Sequence, residues 1–127
     1  MSEGVRTFVV LLIAISLSVT GETLLKKGIN GLPGLDFAPA SLLPTFIRIF
    51  TTPLVFLGFV FIFGGSLFWL AVLSKWDLSL AYPLLSISYI ASLFVGALVL
   101  GEQITLLRMI GVVVVVIGVI LLTWRAT

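Results

Sequence analysis

Four long apolar runs, each long enough to cross a bilayer as a helix, constrain this chain more than any motif in it. The first extends from Thr7 to Leu25, about 28 Å as a helix and close to the roughly 30 Å hydrocarbon core of a bilayer. The others cover about 53–73, 79–100 and 106–124. In hydrocarbon every backbone N–H and C=O must be satisfied within its own segment, so these runs are predicted to be helices. That holds even for Val112 to Val116, whose β-branched side chains disfavour a helix in water. The expected fold is an all-α membrane protein, a single domain over residues 1–127 with four transmembrane helices. Composition agrees, because 61% hydrophobic and 9% charged residues cannot cover a soluble domain of this size.

Several classes of function fall away at once. The chain has no cysteine, which removes disulfides and thiolate chemistry, and no histidine, which removes the usual neutral-pH proton shuttle. A net charge of +2, spread along the chain, gives no footprint for nucleic acid. No nucleophile–base set, metal-ligand cluster or glycine-rich phosphate loop is present, so neither an enzyme nor a cofactor is expected. The first run is expected to be retained rather than cleaved, because Lys26 and Lys27 follow it where a small-x-small cleavage pattern would stand.

The connections set the topology. Residues 26–52 form the one sizeable loop, punctuated by Gly28, Gly31, Pro33, Gly34, Pro39 and Pro44. Within it, Leu42, Leu43, Phe46, Ile47 and Phe50, with Arg48 opposite, suit a short interfacial helix over 42–50. Ser74 to Leu78 is a tight turn that makes its flanking helices antiparallel neighbours, and Thr105 is placed to cap the last helix. Arg6, Lys75 and Arg125 then lie on one side of the membrane, and Lys26, Lys27, Arg48 and Arg108 on the other. By the positive-inside rule this near balance permits either a fixed or a dual orientation.

A few residues exceed what anchoring requires. Glu22 is the one acid inside a predicted span, where a carboxylate costs about 2.5–3.5 kcal/mol on insertion scales, so it is a functional candidate by default. Ser18 shares its face, so the two would line a cavity for a proton or a cationic group; the plainer alternative is an interfacial ion pair of Glu22 with Lys26. Lys26 is also a candidate for a phosphate, against ordinary snorkelling to the headgroups. In the third run Tyr82, Ser86 and Tyr89 follow a one-face spacing and would form a polar, aromatic cavity wall, with Trp69 as a second wall. Ser88, Ser92 and Gly96 form a stripe of small residues suited to close helix packing, and Gly111 and Gly118 suit packing or dimerisation of the last helix.

Taken in order, Ser18-Val-Thr-Gly-Glu-Thr-Leu-Leu-Lys26, Phe68 to Leu73, Ala81-Tyr-Pro-Leu-Leu-Ser86, Gly101-Glu-Gln-Ile-Thr105 and Gly111 with Gly118 resemble the drug/metabolite transporter superfamily. The chain resembles both the four-helix small multidrug resistance proteins and the EamA-type half-transporters. Within that group it is similar to the subunits that flip aminoarabinose-phosphoundecaprenol, which share the Ala-Tyr-Pro stretch and a glutamate matching Glu102. The resemblance implies a multi-pass protein of a bacterial inner membrane, working as an antiparallel pair, either a homodimer or a heterodimer with a sister four-helix subunit. It also implies departures: the proton-exchanging glutamate of the multidrug proteins falls at Ser18, and the flippase subunits carry glutamine at Glu22. The expected function is transport of a polyprenyl-phosphate-linked sugar or similar amphipathic lipid. Lys26 and Arg108 would meet its phosphate, Glu22 an amino group or proton, and the tyrosine face its head. Two alternatives stand beside it, a proton-coupled exporter of small organic cations and a non-transporting assembly subunit.

Overall fold

A computed structural model describes residues 2–124, which are all-helical with connecting turns. Arg125, expected to flank the last helix, lies outside the described residues. The helices are α1 (Glu3–Asn30), α2 (Leu42–Phe50), α3 (Pro53–Leu73), α4 (Leu78–Leu84), α5 (Ile87–Leu98) and α6 (Leu106–Thr123). Counting α4 and α5 as one crossing, four segments are long and apolar enough to span a membrane.

The first helix is longer than its apolar run. It starts where the Ser2 hydroxyl accepts the Val5 N–H at 3.3 Å and ends where the Gly31 N–H donates to the Lys27 carbonyl at 3.3 Å. Hydrophobicity marks where a helix leaves the hydrocarbon, not where it stops; Lys26 and Lys27 are good helix formers and carry it on. The connecting loop therefore starts at residue 31 instead of 26. It is sewn onto α2 by Thr45, whose hydroxyl donates to the Asp36 carbonyl at 2.6 Å, and by Arg48, whose guanidinium donates to the Pro33 carbonyl at 2.9 Å. Thr45 and Ile49 face inward, while Leu43, Ile47 and Phe50 form an outward apolar ridge.

The closest packing joins α1 to α3 through glycines. A methyl group on Gly58 would stand 2.7 Å from the Gly21 carbonyl oxygen, and one on Gly28 would stand 2.6 Å from Val55 Cγ2. One on Gly65 would stand 2.6 Å from Ser18 Oγ and 3.0 Å from the Ala14 carbonyl oxygen. In lipid no hydrophobic force draws helices together, so backbones that can touch supply the dispersion and Cα–H···O contacts that do. The stripe of Ser88, Ser92 and Gly96 does not pack helices in this way, because the space over Gly96 is filled by the Glu102 carboxylate. Nor do Gly111 and Gly118 pack against the described residues, among which a methyl group on either meets nothing within 4 Å.

The third crossing is two helices, where one over 79–100 was expected. Pro83 has no N–H to donate to the preceding turn. The chain tightens after it, with Ser86 N–H to the Pro83 carbonyl at 3.0 Å and Tyr89 N–H to the Ser86 carbonyl at 3.0 Å. The Ser86 hydroxyl also donates to the Pro83 carbonyl, competing for the backbone there. At its far end Gly101, with φ of 67°, reverses the chain so that the Glu102 N–H donates to the Gly96 carbonyl at 2.8 Å.

Leu11, Ile15, Val19, Val72 and Ala81 make the core where α1, α3 and α4 meet. Glu3 and Lys75 pair at 2.9 Å and tie the start of α1 to the 74–77 turn, which places both on one membrane face. By contrast α6, capped by Thr105 at the Arg108 N–H (3.2 Å), buries no residue and leans on α4 and α5 only lightly.

Adjacent glycines give a sharp test of this packing. Gly65→Ala should lower the unfolding free energy in detergent by roughly 1–3 kcal/mol through overpacking. Gly64→Ala, whose methyl would lie 3.9 Å from Leu17 Cδ1, should stay within about 0.5 kcal/mol of the parent. Equal effects at the two positions would remove the glycine contact as the basis of the α1–α3 pair.

Candidate functional site

Because α1 and α3 meet along their glycines, their neighbouring faces diverge and leave a cleft that α4 and α5 close on the third side. The cleft holds about 370 Å³, within the usual range for small-molecule sites. From α1 come Ser18 and Glu22, one turn apart; from α3, Ser66 and Trp69; from α4, Tyr82; from α5, Ser88 and Tyr89. Ala14, Ile15, Val19 and Leu85 supply the apolar floor. Trp69 and Tyr82 meet edge to face, ring centroids 5.4 Å apart at 89°, so each fixes the other's orientation.

The hydrogen-bond pattern distinguishes most of this lining, though not Ser66, from the other polar residues of the spans. Ser16, Thr20, Thr23 and Ser66 return their hydroxyls to carbonyls one turn back, at 2.7, 2.7, 2.7 and 3.0 Å. Ser18, Ser88, Tyr82, Tyr89 and Glu22 make no side-chain hydrogen bond to any described residue. At membrane depth an unsatisfied polar group costs several kcal/mol in lipid, a cost these groups recover only from water or a ligand. The cleft thus offers uncommitted donors and acceptors beside an apolar floor, and is amphipathic across its width.

Five expected site residues come together here: Ser18, Glu22, Trp69, Tyr82 and Tyr89. Glu22 lies eight residues before the end of α1, about 12 Å along its axis, further inside the helix than an end at Leu25 implied. The alternative ion pair with Lys26 does not form; among the described residues the pair within 4 Å is Glu3 with Lys75. Ser86 leaves the site, turned away by the break after Pro83 to sit buried against that carbonyl. Ser88 takes its place, moved by the same break from the packing stripe to the cleft. Lys26 is exposed beyond the cleft and does not line it.

The remaining candidates gather alongside. Glu102, Ser92 and Gly96 line a smaller hollow of about 150 Å³ that also includes Glu22. Arg108 and Gly111 line a groove of about 430 Å³ between α5 and α6, which includes Tyr89, Ser92 and Glu102. Sequence reasoning does not place Ser66 or Ser88 in the cleft. Ser66 stands three residues before Trp69, a same-face spacing that could have marked it, whereas nothing local marks Ser88.

Four spans around an open polar cleft make a multi-pass helical protein of the bacterial inner membrane. The chain belongs to the EamA-like transporter family, which matches residues 4–124. It is 36% identical over 61 residues, 48% of this chain and 54% of the relative, to the probable 4-amino-4-deoxy-L-arabinose-phosphoundecaprenol flippase subunit ArnE of Yersinia pseudotuberculosis. It is 32% identical over 75 residues, 59% of this chain and 62% of the relative, to the probable ArnE subunit of Proteus mirabilis. The chain thus spans between half and two thirds of the length of these curated relatives. No solved structure matches it.

The absence of native cysteine makes the cleft directly testable. Single substitutions Ser18→Cys, Ser66→Cys and Ser88→Cys should react with a water-soluble thiol reagent at least about tenfold faster than Ser86→Cys, in line with their exposure. Similar rates at positions 86 and 88 would contradict the break after Pro83.

Proposed function

We propose that this chain is one subunit of a transporter that moves a polyprenyl-phosphate-linked amino sugar, or a similar amphipathic lipid, across the membrane. The observation that carries this is the set of uncommitted polar groups, Ser18, Glu22, Tyr82, Ser88 and Tyr89, in a cleft among apolar spans. Hydroxyls that both donate and accept suit a sugar, whose own hydroxyls do the same. A carboxylate suits an ammonium on that sugar, and the Trp69–Tyr82 pair offers flat apolar surface to its ring. The names of the curated relatives, flippase subunits for an aminoarabinose lipid, support the same substrate class.

The passage is shared between two subunits in this proposal. One chain supplies a cleft and not a closed pathway, and α6, with its two unpacked glycines and no fully buried residue, leaves most of its surface free for a partner. An antiparallel second copy or a sister four-helix subunit would complete the walls, and membrane lipid surrounds the pair. Transport then proceeds with the head in the cleft and the prenyl tail in the bilayer, so that only the polar head has to be shielded.

A proton-coupled exporter of small cations makes the same use of an unpaired Glu22, and substitution separates the two. In proteoliposomes, Glu22→Gln should keep flipping of the lipid-linked amino sugar within about fivefold, since an amide oxygen still accepts from an ammonium. Glu22→Leu should lose roughly tenfold or more, the worth of a hydrogen bond to a charged group. Proton-coupled currents with guanidinium or quaternary ammonium ions, abolished in Glu22→Gln, would instead establish the exporter. Full flipping by Glu22→Leu would remove Glu22 from the site.

A further inference from the structure

The geometry points to a second recognition point, for an anion, in the groove between α5 and α6: Arg108 there binds the phosphate of a zwitterionic lipid whose cationic head occupies the Glu22 cleft. This rests on the lipid reading above and adds to it a separate place, outside the cleft, where the phosphate is held.

Three observations lead to it. The groove and the cleft share Tyr89, so the two hollows adjoin at a single side chain. The charges differ: Glu22 is the one ionisable carboxylate or cation lining the cleft, whereas the groove brings in Arg108. Glu102 also lines the groove, but it makes no ion pair with Arg108, and its carboxylate lies back over Gly96, on the side of the hollow shared with Glu22. Arg108 itself makes no side-chain hydrogen bond or ion pair to a described residue.

Its position in the helix adds a physical argument. Arg108 stands in the first turn of α6, where the helix dipole disfavours a cation. No described residue pairs with Arg108 within 4 Å to offset that. A phosphate in the groove would, meeting a guanidinium with two parallel donors and the positive end of α6 together. The opening over Gly111, where a methyl group would meet nothing within 4 Å, leaves room on the same helix face for the start of a chain leading into the bilayer. Lys26, another cation on this membrane face, lines neither cleft nor groove and is not needed by this arrangement.

Binding to the intact protein in phosphatidylcholine nanodiscs tests this, read by quenching of tryptophan fluorescence, with three probes: undecaprenyl phosphate, a long-chain alkylamine, and a lipid-linked amino-sugar phosphate. Arg108→Gln should weaken undecaprenyl phosphate and the zwitterionic lipid by about tenfold or more, as expected for loss of a charge-assisted pair, and leave the alkylamine unchanged. Arg108→Lys should recover part of the loss, keeping the charge without the fork, and it carries the test if Arg108→Gln fails to fold. Wild-type affinity for undecaprenyl phosphate should also fall as salt is raised. Unchanged phosphate binding in both variants overturns the inference and leaves Arg108 as a snorkelling residue, as does an equal loss for all three probes. If wild type binds the alkylamine but neither phosphate lipid, the lipid reading itself fails, which is a different result from an insensitive Arg108.

Discussion

The direct approach of the α1 and α3 backbones at Gly21, Gly58 and Gly65 sets the position of everything else. Helices that touch at their main chains spend no side-chain volume on the contact. Their flanking faces then open outward like the covers of a book, and Ser18, Glu22, Ser66 and Trp69 come to line one wall and its corner. Bulky residues along that seam would push the helices apart and leave a shallow surface between them. Since lipid offers no hydrophobic drive to association, the closeness of these backbones is the main source of cohesion in this half of the chain.

The second determinant is a local weakness. Pro83 interrupts the third crossing, and the tightened turn through Leu85 and Ser86 rotates α5 relative to α4. Tyr82 and Tyr89, seven residues apart, still reach the same cleft, but the Ser86 hydroxyl between them does not. The break thus selects Ser88 over Ser86 for the wall. Past the break the chain is carried on by the 3₁₀-like bonds and by the Ser86 hydroxyl.

Cohesion is uneven across the molecule. The Glu3–Lys75 end is held by an ion pair and by the core around Leu11 and Val72, although hollows open there too. The Glu22 end, with cleft, hollow and groove in succession, has no ion pair among the described residues. α6 is bound so lightly that its position relative to α5 sets the width of the groove that Arg108 faces.

Much of this was legible in the residues alone. Hydropathy is local, and the demand that hydrocarbon makes on every peptide group turns it directly into four spans, so the fold class and the membrane location follow from runs such as 53–73 and 106–123. Glu22 could be singled out for the same reason, because a carboxylate in such a run is costly wherever its side chain points. The sequence could not say which faces meet. Gly58 and Gly65 look no different from Gly111 and Gly118, yet the first two are filled by another helix and the last two by nothing. Ser86 and Ser88 differ only in which side of a kink they fall on, and Glu102 joins the Glu22 hollow only because Gly101 folds it back. Transfer energies belong to single residues and can be read from the chain in order; contacts between helices depend on rotations and crossings that accumulate over many residues, and those only the tertiary structure decided.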